Sequence, residues 1–398
     1  MKGNNTKLYA TKGVPGKSPR RSGAGVTLKV AYDKSSETLD LSSTVNQYGP
    51  PQSVMDALAG APSQDLRMPA WESAALIRHA YSNALKTPVN QLAAFRGVTD
   101  FVNAVAQTVP HNRVSVPLPA PAGLLKGFPG RQLRGSLPGS LPSLELINEA
   151  MATSDLVVIT NPNHLVGTHT DPSSLVEVAL AHPDCFLVVD ESHIDFLDEP
   201  SAHSLVGAPT DNIIAVRSTS DFFGIPSSPV AVAWCADAVH IARITGRDRS
   251  QLKEGQLAAQ ECRQIGAMDA VATAAALETG EWAARAKLLL TYDALWLSQL
   301  LSNAPGRLIE HGVGVHYRTF LTRHVNLMSQ TFRSHGVQVL ELGGSEAEGP
   351  RGLRILAPNF EGQPLVQEAV DEIIDRTGDA PPELETTEKD LLRRGASS

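Results

Sequence analysis

The 398-residue sequence predicts an α/β protein, with a three-layer α/β/α large domain around a mostly parallel sheet and a smaller C-terminal α+β domain. Up to about residue 250, short apolar runs alternate with helical patterns, which is typical of strands that crossover helices bury on both faces. Beyond that region the pattern becomes helix-rich and then mixed. The length also allows one large and one smaller hydrophobic core.

The region before the alternating pattern predicts an extended segment, a turn and two helices. The string LDLSS leads to a turn at Gly49 and Pro50. Apolar residues then recur at three- and four-residue spacing from Ser53, and again from Trp71 to about Lys86. This spacing predicts two helices.

Six short apolar runs predict the strands of the sheet. They are QLAAF (91–95), VSVPL (114–118), LVVIT (156–160), CFLVVD (185–190), IIAVRS (213–218) and VAVAWC (230–235). Helical patterns lie between them at 99–109, 143–153 and 172–181. Because ligands bind at the carboxyl ends of parallel strands, the sequence predicts a site formed by residues 161–167, 190–193 and 218–224.

The C-terminal part predicts a second, smaller domain. Residues 252–302 are helix-rich, and VGVHYRTFL, VQVLEL and GLRILAP predict strands after them. The predicted organisation is a disordered or extended arm (1–37), a large domain (38–275), a small domain (276–376) and a flexible tail (377–398).

Charge and hydropathy limit the classes of partner. The formal net charge of −8 disfavours general nucleic-acid binding. No apolar run approaches the roughly 20 residues needed to cross a bilayer, and the basic, polar N-terminus lacks the apolar core of a secretory signal. Cys185, Cys235 and Cys262 lie far apart and form no CxxC pair, which disfavours a disulfide framework or structural zinc. We therefore expect a cytoplasmic protein that acts on a small molecule, with no nucleic-acid or membrane partner.

Five ordered motifs resemble the fold-type I aminotransferases, especially the histidinol-phosphate aminotransferase and threonine-phosphate decarboxylase branch. They are LDLSSTVNQYGPP, TNPNHLVG, VVDESHIDF, VRSTSDFFGIPSSPVAVAW and RGLRILAP. The resemblance spans roughly residues 38 to 375. It implies an aminotransferase fold and a homodimer whose active sites lie at the subunit interface.

The resemblance also implies that the usual pyridoxal phosphate chemistry is lost, because the Schiff-base lysine of the family falls at Asp221. A carboxylate cannot form an aldimine with the cofactor. The family's asparagine and tyrosine that contact the cofactor's phenolic oxygen fall at His164 and His193, and the arginine that holds the cofactor phosphate falls at Pro229. The aromatic residue that stacks on the cofactor ring falls near Pro121, and the tyrosine contributed by the second subunit falls near Met68. We therefore expect no cofactor held as an aldimine.

Other family positions are kept. Asp190 stands where a carboxylate pairs with the cofactor's pyridine nitrogen, and Arg354 matches the arginine that clamps a substrate carboxylate. The further substrate-binding residues that the resemblance implies are Asn46, Tyr48, Thr99, Ser218 and Ser220. They favour a carboxylate or amino-acid-like substrate.

His164, Asp190, His193 and Asp221 would converge if the fold is kept, and two kinds of chemistry suit them. A histidine oriented by a carboxylate is a general acid or base. Two imidazoles and one or two carboxylates also suit a divalent metal, zinc or iron. Read one at a time, each residue is equally compatible with a solvated cleft that has no chemistry.

Two further functional hypotheses stay open. The chain is also compatible with a catalytically silent pseudo-aminotransferase that binds a ligand or forms a heterodimer with an active partner. Residual aminotransferase activity would need Lys126 or Lys253 to reach the site, which nothing in the sequence favours. The remaining histidines, His311, His316 and His324, are interpreted as surface or strand residues of the small domain.

Overall fold

The computed structural model describes residues 38–108, 113–121, 124, 131–133, 143–244, 265–309, 314–343 and 351–378. These residues include thirteen strands. They are β1 (Leu39–Asp40), β2 (Leu92–Phe95), β3 (Val114–Pro117), β4 (Arg131–Leu133), β5 (Leu156–Thr160), β6 (Phe186–Asp190), β7 (Ile213–Ser218), β8 (Ala231–Trp234), β9 (Arg307–Leu308), β10 (Tyr317–Leu321), β11 (Val337–Gln338), β12 (Leu340–Leu342) and β13 (Gly352–Leu356). The predicted arm (1–37) and the tail from residue 379 lie outside the described residues, which all belong to one compact unit beginning at Thr38.

A seven-stranded sheet with the order β2-β8-β7-β6-β5-β3-β4 forms the large part of the molecule. Six strands run parallel to one another, and β8 is antiparallel to both of its neighbours, β2 and β7. The mostly parallel sheet that the apolar runs predicted is therefore confirmed. Every residue of β5 and β7 is buried, as expected for strands covered on both faces.

Helices cover both faces of this sheet. The helices of the described chain are α1 (Gln52–Gly60), α2 (Ala70–Leu85), α3 (Gly97–Thr108), α4 (Leu144–Thr153), α5 (Pro172–Ala181), α6 (Pro200–His203), α7 (Ala238–Ile244), α8 (Ala267–Leu277), α9 (Gly280–Leu301), α10 (Val325–Ser334) and α11 (Gln363–Thr377). Along β6, Leu187 and Val189 join a core with α2, α4 and α5, whereas Val188 joins a core with α3 and α7. This alternation gives the predicted three α/β/α layers.

The C-terminal part contains an antiparallel four-stranded sheet with the order β12-β13-β10-β9. Its core includes residues of α9, α10 and α11. Strand β1 pairs in parallel with β11, which connects the beginning of the described chain to this part. The predicted domain boundary at residue 275 falls in the last turn of α8 and stays a prediction.

Other sequence expectations are confirmed or corrected locally. The predicted strand VQVLEL is two strands, β11 and β12, that belong to different sheets. Cys185 and Cys235 are buried free thiols, whereas Cys262 lies outside the described residues. Within the described part of the chain, no helix is both long and apolar enough to cross a membrane.

Candidate functional site

The carboxyl ends of β5, β6 and β7 bring the four predicted residues together. Asp190 is the last residue of β6, and His193 follows it just before a 3₁₀ turn, Ile194–Phe196. His164 lies on the loop after β5, where its backbone N–H donates to the Thr160 hydroxyl at 3.2 Å. Asp221 lies on the loop after β7. Because these three strands are neighbours in the sheet, the four side chains meet as predicted.

His193 and Asp221 form the closest pair in this group. The His193 Nε2–Asp221 Oδ2 distance is 3.3 Å, and the Thr44 hydroxyl donates to the same oxygen at 2.6 Å. Burial alone would raise the pKa of Asp221, but the contacts with His193 and Thr44 outweigh it and hold the pKa below its ordinary value. Asp221 is therefore a charged carboxylate bound to an imidazole.

His164 and Asp190 lie beside this pair. The two imidazole rings stack with centroids 3.9 Å apart, and His164 Nδ1 is 3.9 Å from Asp190 Oδ2. Burial raises the pKa of Asp190, although Ser192 opposes the shift by donating its N–H and its hydroxyl to Oδ1. Burial, and then the neighbouring His193, keep the pKa of His164 well below its ordinary value. His164 is therefore a neutral ring.

The four residues do not bring three possible metal-ligand atoms close together. Among the described residues, Asp211, Asp237 and His240 have ligand atoms that all lie within 4.8 Å of one another. No three of the four predicted residues meet this distance.

Arg354, predicted to hold a substrate carboxylate, is only 7% exposed and donates to the main chain. Nη1 donates to the carbonyl oxygen of His164 at 2.6 Å, and Nη2 donates to that of Ser42. The guanidinium also lies 5.4 Å from the centre of the Tyr317 ring. Both terminal nitrogens therefore have partners within the chain.

The other predicted substrate-binding residues have contacts within the chain or lie at the rim. Asn46 donates to the Phe222 carbonyl at 2.8 Å, and the Tyr48 hydroxyl donates to Asp293 at 2.6 Å. The Ser218 and Ser220 hydroxyls lie 2.9 Å apart, and Ser218 also donates to the Val230 carbonyl at 2.8 Å. Thr99 is exposed on the first turn of α3.

The first turn of α3 also carries a carboxylate. Asp100 Oδ2 accepts the backbone N–H of Arg96 at 3.2 Å. An N–H group at a helix start is a natural anion contact, and here the chain's own acid occupies it.

His316 lies against the cluster, and the surface alternative of its interpretation was wrong. It lies immediately before β10, is 2% exposed and stacks on Phe196 with centroids 3.5 Å apart. Its ring lies 6.0 Å from that of His193, and its Nε2 is 2.6 Å from the Thr44 carbonyl oxygen. No local motif could have revealed this, because the contact joins residues more than a hundred positions apart. His324 is half-buried beyond β10, and His311 lies outside the described residues.

Comparisons with known proteins bear on the family and the fold of the chain. The family described as "Aminotransferase class I and II" matches residues 140–263. Histidinol-phosphate aminotransferase of Rhodopirellula baltica is 27% identical over 195 residues, which cover 47% of this chain and 52% of that protein. Histidinol-phosphate aminotransferase 2 of Archaeoglobus fulgidus is 24% identical over 217 residues, covering 52% of this chain and 61% of that protein. The chain thus spans about half to three-fifths of these relatives.

Solved structures match over a larger share. The Sinorhizobium meliloti histidinol-phosphate aminotransferase, in complex with pyridoxal-5'-phosphate, has a TM-score of 0.72 at 16% identity, covering 86% of this chain and 92% of that one. L-threonine-O-3-phosphate decarboxylase of Porphyromonas gingivalis has a TM-score of 0.66 at 13% identity, covering 85% and 99%. The chain therefore has the fold of the fold-type I aminotransferases, and part of its sequence matches the class I and II aminotransferase family.

Proposed function

We propose that this chain has lost lysine-dependent pyridoxal phosphate chemistry and is an acid–base enzyme for a small carboxylate or amino-acid-like substrate. The observation that carries the proposal is the 3.3 Å contact between His193 Nε2 and Asp221 Oδ2, supported by the Thr44 hydroxyl. A carboxylate that orients an imidazole in this way is the usual support of a catalytic histidine.

The residues present do not fit pyridoxal phosphate held in the usual way. The loop after β7 offers the carboxylate of Asp221 where a primary amine is needed for an aldimine. The start of α3 carries Asp100, which would repel a phosphate, and Pro229 offers no positive charge. His164 and His193, which stand where the resemblance puts the phenolic-oxygen contacts, stack on each other with centroids 3.9 Å apart.

In the neutral form of His193, the contact with Asp221 Oδ2 places the ring proton on Nε2 and leaves the lone pair on Nδ1. As a general base, Nδ1 would take a proton from a substrate C–H or O–H bond. The negative charge of Asp221 would stabilise the resulting imidazolium, and the proton would return to the product. Isomerisation, elimination and hydrolysis all fit this cycle.

Proton abstraction can be tested before the full reaction is known. Small carboxylic and amino acids are incubated with the protein in D₂O, and exchange of C–H for C–D is followed by NMR. We expect exchange in at least one compound, and a loss of about 100-fold or more in His193→Gln and Asp221→Asn. His335→Gln, a surface variant at a residue paired with Glu372, is the matched control.

Two results would contradict the proposal. Exchange that persists unchanged in His193→Gln would exclude this residue as the base. Near-stoichiometric pyridoxal phosphate that stays on the purified protein after desalting would contradict the loss of cofactor chemistry. Absence of exchange in every compound, together with capture of an active aminotransferase, would favour the catalytically silent partner instead.

A further inference from the structure

A second group of possible ligand residues lies at the opposite edge of the seven-stranded sheet. Asp211 precedes β7, Asp237 follows β8, and His240 lies in the first turn of α7. Because β8 runs antiparallel to β7, the start of β7 and the end of β8 meet at one edge. The 6 residues of β7 rise about 3.3 Å each, so this group lies roughly 20 Å from the loop that carries Asp221.

The three side chains are close enough to share one ion. One ligand atom from each of Asp211, Asp237 and His240 lies within 4.8 Å of the other two. The His240 Nε2–Asp237 Oδ2 distance is 3.8 Å. Two ligands of a tetrahedral ion with bonds of about 2.1 Å lie about 3.4 Å apart, so this pair needs only a small adjustment. Over the part of the chain that the structure describes, no other three histidine, cysteine, aspartate or glutamate side chains meet in this way.

Contacts with the surrounding chain orient Asp237 and His240. Asp237 Oδ1 accepts the backbone N–H of Val239 at 2.7 Å, which caps the start of α7 and leaves Oδ2 beside His240. The His240 ring packs at right angles to the Phe186 ring, with centroids 4.7 Å apart. The helix cap alone would explain Asp237, but it explains neither the imidazole nor the second carboxylate next to it.

The segment that carries Asp211 is also held in place. The Cys235 thiol donates to the Asp211 carbonyl oxygen at 3.3 Å. The side-chain amide of the next residue, Asn212, donates to the carbonyl oxygens of Ala179, His182 and Cys185. The Asp211 carboxylate therefore stays beside that of Asp237, and two carboxylates at this separation repel each other. A cation between them would replace this repulsion with attraction.

We propose that Asp211, Asp237 and His240 bind one divalent transition-metal ion, preferentially zinc, with water completing its coordination. The imidazole favours zinc over calcium and magnesium, which are held mainly by oxygen ligands. The side chains of Asp237 and His240 are 37% and 22% exposed, so an ion can reach them from solvent. The ion would link the start of β7 to the end of β8 and to α7. This role is structural and does not depend on the function proposed above.

Zinc binding to the full chain, freed of metals with a chelator, tests the proposal. Zinc chloride is titrated into protein labelled with ¹⁵N in the histidine rings, and calorimetry gives the stoichiometry and the affinity. We expect one ion per chain to shift the ring signals of His240 in a saturable manner. The proposal would be overturned if zinc left these signals unchanged, or if calcium or magnesium bound at least as tightly as zinc.

Two variants test the ligands themselves. Asp211→Asn changes one atom of an exposed side chain, and His240→Gln removes the imidazole. We expect each to weaken zinc binding about 100-fold or more, since even the partners of metal ligands contribute about 10- to 100-fold. His182→Gln is the matched control, because His182 is similarly half-buried and contacts Asn148 instead of a carboxylate. Equal loss in His182→Gln would overturn the assignment.

The cluster at the carboxyl edge supplies the competing location for an ion. Zinc binding that is lost in His193→Gln but kept in His240→Gln would overturn the proposal and favour a metal in that cluster. An ion that binds only the folded state raises its stability. We therefore expect zinc to raise the thermal unfolding midpoint of the wild type and of His193→Gln, but not that of His240→Gln.

Discussion

At the scale of single residues, two carboxylates at the β6 and β7 ends have pKa values shifted in opposite directions. Asp221 accepts hydrogen bonds from His193 and Thr44, which hold its pKa below the ordinary value in spite of burial. Glu191 is fully buried one position after Asp190, and burial raises its pKa to about 7 although Arg217, Ser204 and Leu205 oppose the shift. Asp221 is therefore suited to act as an anion in the site, whereas Glu191 makes the free energy of unfolding depend on pH.

The raised pKa of Glu191 predicts how the free energy of unfolding depends on pH. In the unfolded chain the carboxyl loses its proton near its ordinary pKa of 4.5, whereas the folded chain keeps the proton up to about pH 7. The folded state binds more protons in this window, so this group lowers the free energy of unfolding as pH rises through it. In Glu191→Gln, we expect the change between pH 5 and 7 to be flatter by about 1–3 kcal/mol. Urea unfolding at several pH values measures it, and the exposed Glu149→Gln should match the wild type.

Residue chemistry at strand ends was predictable, and the contacts between distant segments were not. His164, Asp190, His193 and Asp221 each follow an apolar run, and parallel strands bring such positions to one edge. His316 comes from the other sheet, and Thr44 comes from the segment before α1. Their contacts depend on how the C-terminal part packs, which no local pattern encodes. The resemblance suggested a substrate role for Arg354, but it did not indicate the carbonyl oxygens of Ser42 and His164 as partners.

At the scale of elements, hydrogen bonds and a close backbone contact connect the segment 42–49 to the loop after β7. Asn46 donates its backbone N–H to the Asp221 carbonyl at 2.9 Å and its side-chain amide to the Phe222 carbonyl at 2.8 Å. Gly49 and Gly224 let the two backbones touch, because a Cβ on Gly224 would lie 2.8 Å from the Gly49 Cα. These contacts place the Thr44 hydroxyl on Asp221.

Gly224→Ala therefore tests how much the close backbone contact between Gly49 and Gly224 contributes to stability. Gly224 has a φ of +64°, and Gly336 has a similar φ of +72° with nothing within 4 Å of an added Cβ. The unfavourable φ alone costs about 1–2 kcal/mol in either variant. We expect Gly224→Ala to lose about 1–3 kcal/mol more than Gly336→Ala, because backbone must also move. Urea unfolding measures both, and equal losses would show that the contact has no influence on stability.

The sequence predicted strands well where burial on both faces produces a continuous apolar run, as in LVVIT and IIAVRS, whose bounds match β5 and β7. It missed β4, the edge strand RQL, because a strand with one neighbour needs no such run. It also joined β11 and β12, since VQVLEL has no break residue where the chain passes from one sheet to another.

At the scale of the whole molecule, the resemblance implies a homodimer. Light scattering coupled to size-exclusion chromatography measures the mass, and we expect about twice the 42.4 kDa of one chain. The dimer is expected because active sites at a subunit interface need both copies. A monomer at concentrations well above those of the activity assay would contradict it. A mixed complex with an active aminotransferase would support the heterodimer alternative.

The stacked pair of His164 and His193 also bears on evolutionary reversibility. The two imidazoles stack on each other, and Asp221 contacts the His193 ring. Arg354 donates a hydrogen bond to the backbone carbonyl of His164. A lysine placed at position 221 would remove the anion that orients His193 and would leave Asp100 and Pro229 unchanged. Effects of residues in contact do not add, so one substitution would not rebuild the rest of the site. Under the proposed function, an aldimine-forming enzyme on this scaffold would therefore need several coordinated substitutions.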